Sequence, residues 1–286
     1  MVQGYAGGGR WGRGRSPRPR PEYAERMLVA TDLDGTLVPN AGDVVPAYTA
    51  SVLRRLDAAG IPVVFVTGRP LRRMEAFWAH VGAHGLAVVS NGAVTFDVSE
   101  RRIVALSGIE PAPGLELVDD IAAAVPGSWF AVECDDGVRL DPEYVQTYTS
   151  GPVPRGPLPE VWDRAAVKVL VRHPEVPPVE LQERVSDAVG ERATVTWSVS
   201  GLVEISAAGV TKASALAELC SRMGIAAADV TAFGDMPNDL AMLTWAGTAI
   251  AVADAHESVL AAADRVAPSC HEEGVARVLE ELLEHA

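Results

Sequence analysis

The sequence predicts an α/β fold, a parallel-sheet core with helices on both faces, interrupted by an inserted α+β unit. Three observations carry this prediction. Short apolar runs alternate with helical spacing from Met27 onward, the order that a parallel sheet requires. In the middle of the chain the pattern changes to adjacent strands with few helices between them. From Thr211 the strand–helix alternation returns. The core then takes residues 24–94 and 201–286, the insert takes residues 95–200, and residues 1–23 precede both.

The elements follow in order. Met27 to Thr31 is a short apolar run that reads as a buried strand. Pro46 to Ala59 has helical spacing, with Val52, Leu53 and Leu56 on one face and Gly60 as a C-terminal stop. Ile61 to Val66 is a second strand, Leu71 to Val81 a helix and Leu86 to Ser90 a third strand. In the insert, Val94 to Asp97 and Ile103 to Leu106 flank a polar turn and form a hairpin. Pro111 to Pro113 reads as a linker before a helix that runs to Val125. Strands at Trp129 to Glu133 and Gly137 to Leu140 precede a loop rich in Pro and Gly, Ser150 to Pro159. Val167 to Arg172 is a strand, Pro178 to Val189 a helix, and Thr194 to Trp197 and Val203 to Ser206 are strands. The core resumes with a helix at Lys212 to Met223, a strand at Val230 to Phe233, a short helix at Asp239 to Thr244 and a strand at Ala249 to Val252. Helices at His256 to Ala263 and Glu272 to His285 end the chain.

Composition restricts the function classes. With 286 residues, 48% of them hydrophobic and 22% charged, the chain suits one large or two medium globular domains. Its apolar runs are far shorter than the roughly 18 residues of a membrane span, so no membrane role is expected. The net charge is −14, and the first 26 residues carry six Arg against two Glu, so the remainder carries −18. Such a body repels phosphate backbones, and no nucleic-acid partner is expected. The segment before Pro21 is rich in Gly, Arg and Pro and reads as a disordered basic tail. Cys134, Cys220 and Cys270 are odd in number, far apart and outside any CxxC, which fits a reducing cytoplasm.

Four short motifs can carry chemistry. Asp32-Leu33-Asp34-Gly35-Thr36 directly follows the first strand, and ligand sites in open α/β sheets lie beyond the carboxyl ends of strands. One aspartate can attack an electrophile while the other moves protons, and a cation must offset their charge. Asp and Gly also favour plain turns. Thr67-Gly68-Arg69 ends the second strand, where a hydroxyl and free backbone N–H groups can hold a phosphoryl oxygen or simply cap a helix. Lys212 opens a helix, where the macrodipole does not favour a cation, in a chain with 22 Arg and only two Lys. Gly234-Asp235-Met236-Pro237-Asn238-Asp239 follows a third core strand and adds two carboxylates, a donor set suited to Mg²⁺ or to the first turn of a helix.

Taken together these motifs resemble the haloacid dehalogenase (HAD) superfamily, and within it the Cof-like phosphatases that carry a large α/β (type IIB) cap. The matching strings are Asp32-Leu33-Asp34-Gly35-Thr36-Leu37, Val66-Thr67-Gly68-Arg69, Ser90-Asn91-Gly92-Ala93, Glu204-Ile205-Ser206 with Lys212, and Gly234-Asp235-x-Pro237-Asn238-Asp239. The resemblance runs from about Met27 to the C-terminus and is weakest in the insert. It implies a Rossmann-like core whose insert is a cap that selects substrate. It also implies Asp32 as a nucleophile forming an aspartyl-phosphate, and Asp34 as the acid and base. Thr67, the Gly68 backbone, Lys212 and Asn238 would hold the phosphoryl group. Mg²⁺ would be held by the Asp32 carboxylate, the Asp34 backbone carbonyl and Asp235, with Asp239 beside the metal or orienting a water. One departure stands out: many relatives have Gly-Asn-Ala where this chain has Ala253-Asp254-Ala255.

The resemblance leaves the substrate open. The expected activity is Mg²⁺-dependent hydrolysis of small phosphorylated metabolites, with sugar phosphates foremost, by a monomer or small homo-oligomer. A sugar phosphomutase, or a dedicated sugar-phosphate phosphatase of a glycoside or disaccharide pathway, shares the motifs. A phospho-accepting receiver module uses similar residues in a different order and without a cap. In the insert Lys168, Arg172, Glu133 and Asp135 are candidates for specificity, and Arg69 and Asn91 are further candidates for substrate contact. Lys168 also reads as a strand residue facing solvent, and His173, before Pro174, as a turn residue.

Overall fold

A computed structural model of the chain describes residues 27–40, 42–145 and 152–285. The basic tail of residues 1–23 lies outside the described residues. Five parallel strands form the central sheet, in the order β13-β12-β11-β1-β2. They are β1 (Leu28–Thr31), β2 (Val63–Phe65), β11 (Val230–Gly234), β12 (Thr248–Val252) and β13 (Arg265–Ala267). Alternation along β1 sends Val29 to one face and Leu28 and Ala30 to the other. On the first face lie α1 (Ala47–Ala58) and α8 (Gly274–His285), through Val52, Leu53, Leu56, Val275, Val278 and Leu279. On the second lie α5 (Lys212–Met223), α6 (Leu240–Trp245) and α7 (Glu257–Ala262), through Leu216, Leu219, Met242, Leu243 and Val259. Each face thus buries its own apolar layer, which is why both sides of this sheet need helices.

Four sequence expectations are corrected. Leu71 to Val81 is not one α-helix but two short 3₁₀ segments, Leu71–Arg73 and Glu75–His80, joined at Met74. The third strand, β3 (Leu86–Val89), touches the parallel sheet only through a bridge from Val88 to Val66. Its full partner is β4 (Val94–Asp97), which continues antiparallel into β5 (Arg102–Leu106). This three-stranded sheet crosses the boundary drawn at residue 95. Pro111 to Pro113 is no linker, because the prolines occupy the first turn of α2 (Pro111–Ala124), where their missing N–H groups have no helical partner to lose.

The fourth correction bears on function. A second five-stranded sheet has the order β7-β6-β8-β10-β9 and is wholly antiparallel. Its strands are β6 (Trp129–Cys134), β7 (Gly137–Leu140), β8 (Ala166–Arg172), β9 (Ala193–Val199) and β10 (Leu202–Ala207). The boundary at residue 201 leaves β10 on the core side, yet it pairs between β8 and β9. α2 and α4 (Pro178–Val189) cover one face of this sheet, over Phe130, Val132, Val169, Val171, Val203 and Ile205. The opposite face carries Glu133, Lys168 and Glu204, all buried. A short helix, α3 (Leu158–Val161), follows in the predicted loop. No helix among the described residues is long and apolar enough to cross a membrane.

One half-buried imidazole links stability to pH. His84 accepts the Leu86 N–H at Nδ1, 3.1 Å, and its Nε2 meets the Val63 carbonyl at 2.9 Å. Burial pushes its pKa below the ordinary 6.5, against the pull of the Val63 carbonyl and Asp57. A depressed folded-state pKa supplies stability above the ordinary value and loses it as pH falls through the lower one. The melting temperature should therefore fall from pH 7 toward pH 5, and His84→Gln should flatten that limb while removing about 1 kcal/mol at neutral pH. Parallel melting profiles for the two proteins would exclude His84 as the cause.

Candidate active site

The carboxyl edge of the parallel sheet gathers the acidic motifs. Thr31 of β1 lies beside Phe233 of β11 in register, so the residues just beyond, Asp32 and Asp235, emerge side by side. The Asp32 N–H donates to the Phe233 carbonyl at 3.1 Å, which fixes the strand exit. Gly35 then turns the chain back with φ +80°, and a Cβ there would sit 2.3 Å from Asp235 Oδ2. Only glycine allows both that φ and that approach. Thr36 Oγ1 donates to Asp235 Oδ1 at 2.7 Å and orients the carboxylate.

Lys212 sits among these acids, fully buried rather than at the surface. Thr211 and Ser214 form a reciprocal cap that starts α5 here and aims the side chain inward. Its ammonium donates to Asp32 Oδ1 at 2.7 Å and to Asp239 Oδ1 at 2.6 Å. The other Asp239 oxygen accepts the N–H groups of Asp235 and Met236, each at 3.0 Å. Asp239 is thus a brace that holds both the lysine and the Asp235 loop.

The charges do not balance. One carboxylate oxygen from each of Asp32, Asp235 and Asp239 lies within 4.8 Å of the others. Burial pushes Asp32 up to about 7, against the Lys212 charge and with help from Asp239. Burial likewise pushes Asp235 up to about 8, reinforced by Asp32 and Asp239. Lys212 moves the other way from what burial favours, because the two aspartates hold its proton. Fully ionised, three carboxylates against one ammonium would carry two negative charges in a buried site, and a divalent cation with oxygen ligands would offset them and favour that ionised state. The donor set therefore fits Mg²⁺. Asp32 and Asp235 each keep one carboxylate oxygen clear of the side chains around them, whereas both Asp239 oxygens are engaged.

Asp34 lies beside this cluster with a side chain one-third exposed. Arg69 grips it with two parallel bonds, Nε to Oδ2 at 2.6 Å and Nη2 to Oδ1 at 2.5 Å. The same guanidinium reaches Asp43 and the Gly42 carbonyl and stacks over Phe77. Arg69 was expected as a substrate contact, and the structure makes it the partner of Asp34. Thr67 is buried, and its Oγ1 accepts the Arg69 N–H at 3.1 Å. Ser90 and Asn91 both adopt left-handed backbone, φ 53° and 56°. Their N–H groups donate to the Arg69 and Thr67 carbonyls, which is what holds two non-glycine residues in that region. Asn238 donates to Asn91 Oδ1 at 3.1 Å, and its own Oδ1 is buried without a partner.

The antiparallel sheet meets this site from above. Lys168 is not a solvent-facing strand residue: it is buried, and its ammonium donates to Glu204 and, at 2.6 Å, to the Gly68 carbonyl. Burial pushes the Glu204 carboxyl up, but the charge and hydrogen bond of Lys168, with bonds from Ser198 and Asn91, outweigh it and hold the group below its usual range. Glu133 is gripped by Arg72 at 2.7 and 2.9 Å. Of the other specificity candidates, Asp135 pairs with Arg164, and the Arg172 charge acts on the Tyr144 hydroxyl. His173 takes the turn role, accepting the Glu175 and Val176 N–H groups. At the variant segment, Asp254 accepts the Cys270 N–H at 3.1 Å and so braces its own loop.

Two acidic strand ends that meet at a buried ammonium, with a threonine loop at the end of the next strand, are the equipment of an α/β phosphoryl-transfer enzyme, here under an antiparallel cap. The family model for haloacid dehalogenase-like hydrolases matches residues 29–279. The chain belongs to that family and is a Cof-like phosphatase within it. It is 27% identical over 263 residues to the HMP-PP phosphatase of Yersinia pestis, covering 88% of this chain and 93% of that protein. It is also 27% identical over 264 residues to 5-amino-6-(5-phospho-D-ribitylamino)uracil phosphatase YitU of Bacillus subtilis, covering 89% and 96%. In fold it is similar to the solved structure of the HAD subclass IIB sugar phosphatase BT4131, with TM-score 0.74, 21% identity and 90% and 98% coverage.

Sequence reasoning missed several partners. Thr36 was quoted in its motif without a role, and Asp43, Arg72 and Ser198 drew no comment. Each acts through a tertiary contact that leaves no local period or spacing.

Proposed function

We propose that the chain is a Mg²⁺-dependent phosphomonoester hydrolase that works through an aspartyl-phosphate on small phosphorylated metabolites, with sugar phosphates as the substrate class. The observation that carries this reading is the bridge of Lys212 between Asp32 and Asp239, with Asp235 alongside. Lys212 holds Asp32 Oδ1 and leaves Oδ2 to attack phosphorus. The same ammonium offsets charge on the phosphoryl oxygens as they approach. The Thr67 hydroxyl and the Gly68 backbone orient those oxygens, since phosphoryl transfer depends mainly on positioning and charge neutralisation. Asp34, one-third exposed, gives up one bond of the Arg69 fork, takes a solvent proton on the freed oxygen, passes it to the leaving oxygen and then takes the proton of the attacking water. Mg²⁺ would be held by the Asp32 carboxylate, the Asp34 backbone carbonyl and Asp235, and supplies positive charge to the phosphoryl group when bound. The antiparallel unit serves as a lid that excludes water and selects the leaving group.

A mutase must hold a second phosphate, which needs free cations in the lid. Lys168 is neutralised by Glu204, Arg72 by Glu133, and Arg139 by Asp136 and Asp163. These pairings favour a monophosphate of a neutral, hydroxyl-rich alcohol over a bisphosphate. The test is phosphate release from a panel of sugar phosphates and nucleotides, with Mg²⁺ and with chelator. Mg²⁺-dependent release from a few related sugar phosphates is expected. Interconversion of sugar monophosphates with a bisphosphate primer, without release, would replace the hydrolase reading by a mutase.

A further inference from the structure

We infer that Lys168, carried by the lid, is a positioning residue that sets the phosphate-binding hydroxyl of Thr67 through the Gly68–Arg69 peptide group. The inference rests on the hydrolase reading above and adds a link between lid seating and phosphate binding.

The geometry is a single chain of bonds. Lys168 Nζ donates to the Gly68 carbonyl at 2.6 Å. The amide at the other end of that same peptide group, Arg69 N–H, donates to Thr67 Oγ1 at 3.1 Å. Lys168 is 4% exposed and Thr67 fully buried, so water does not substitute for either partner. Rotating the Gly68–Arg69 peptide would break both bonds at once. A peptide that follows glycine rotates with little steric resistance, so its orientation has to be imposed from outside. The lid imposes it. With Oγ1 already accepting from Arg69, the single hydroxyl proton of Thr67 is turned away from that amide and toward the site. Charge on the ammonium polarises the peptide and strengthens the N–H bond to Thr67.

The rest of the network keeps Lys168 in place. Glu204, on the neighbouring lid strand, takes another of its protons and also accepts from Ser198 at 2.9 Å and from Asn91 at 3.3 Å. Asn91 in turn accepts from Asn238 at 3.1 Å, which ties the lid to the loop that carries Asp235 and Asp239. When the lid lifts, Lys168 leaves with it, and the peptide loses its anchor. The phosphate cradle is therefore complete only under a seated lid.

The test is a double-mutant cycle on the full chain, read as kcat/KM for an aryl phosphomonoester. Lys168→Met alone would strand Glu204 as a buried unpaired charge, so the variant is Lys168→Met/Glu204→Gln. In the wild type, Thr67→Ala should lower kcat/KM by about 10- to 100-fold, the worth of a charge-assisted hydrogen bond. The charge-neutral pair should lower it by about ten-fold or more. Adding Thr67→Ala to the pair should then cost less than about three-fold, because coupled residues are not additive. Lys168→Arg keeps donors for both Gly68 and Glu204 and should restore the full Thr67→Ala loss. Independent, multiplying losses, or an arginine variant that behaves like the methionine pair, would overturn the inference while leaving the hydrolase reading intact. A wild-type chain that releases no phosphate would overturn the hydrolase reading and this inference with it.

Discussion

Asp32→Asn abolishes phosphate release, with turnover falling by at least about 10⁴-fold, the scale seen when a nucleophile is removed. An amide oxygen cannot form the acyl phosphate, and no second carboxylate stands where Asp32 does: Asp239 is engaged at both oxygens and Asp235 is oriented by Thr36. The fold survives the change. Asp32 is buried and held near pKa 7 by its surroundings, so ionising it at neutral pH works against stability, and an amide removes that strain. The raised folded-state pKa gives a sign to check. Its contribution is fully present below the ordinary carboxylate range and is lost as pH rises through about 7. Without divalent cation, the wild type should therefore lose melting temperature from pH 6 to pH 8, and Asp32→Asn should lose less. Retained turnover in Asp32→Asn would remove the covalent mechanism.

Lys212→Met has the second largest effect and strikes both stability and activity. Among the described residues the ammonium is the one cation that Asp32 and Asp239 share, and all three are buried. Removing it leaves two unpaired carboxylates, and breaking one buried pair alone costs about 3–5 kcal/mol. That is a large fraction of a typical total of about 5–15 kcal/mol, so Lys212→Met should unfold at markedly lower temperature or denaturant. Lys212→Met/Asp239→Asn removes one of the stranded charges and should recover much of the lost stability. It should recover no activity, because no ammonium then orients the nucleophile or offsets charge beside it. A double variant as unstable as the single one would show that the lysine acts by packing rather than by charge.

Much of this fold was legible in the sequence, for a physical reason. Strands and helices buried on one face must repeat their apolar residues at fixed periods, and β1, α1, α4, α5 and β11 lie where those periods put them. The failures have reasons too. Leu71 to Val81 has helical spacing but forms two 3₁₀ turns, in which Arg72 reaches Glu133 and Phe77 lies under the Arg69 guanidinium, contacts that leave no mark in the local spacing. β13 is too short to show a period and was not predicted. β10 has a strand's spacing whichever sheet it joins, so its residues could not say that it belongs to the lid.

By itself the sequence determined the α/β class and the strand-end motifs, because each is written in short runs of consecutive residues. The tertiary structure alone decided which of those groups meet. Asp32 and Lys212 are 180 positions apart, and only the parallel register of β1 and β11 brings the aspartates to one edge where the lysine can bridge them. It alone decided that Arg69 serves Asp34, that Asp239 is a brace, and that Lys168 is buried over Gly68. Charges pair through space, over a few ångströms, and the chain order carries no record of that distance.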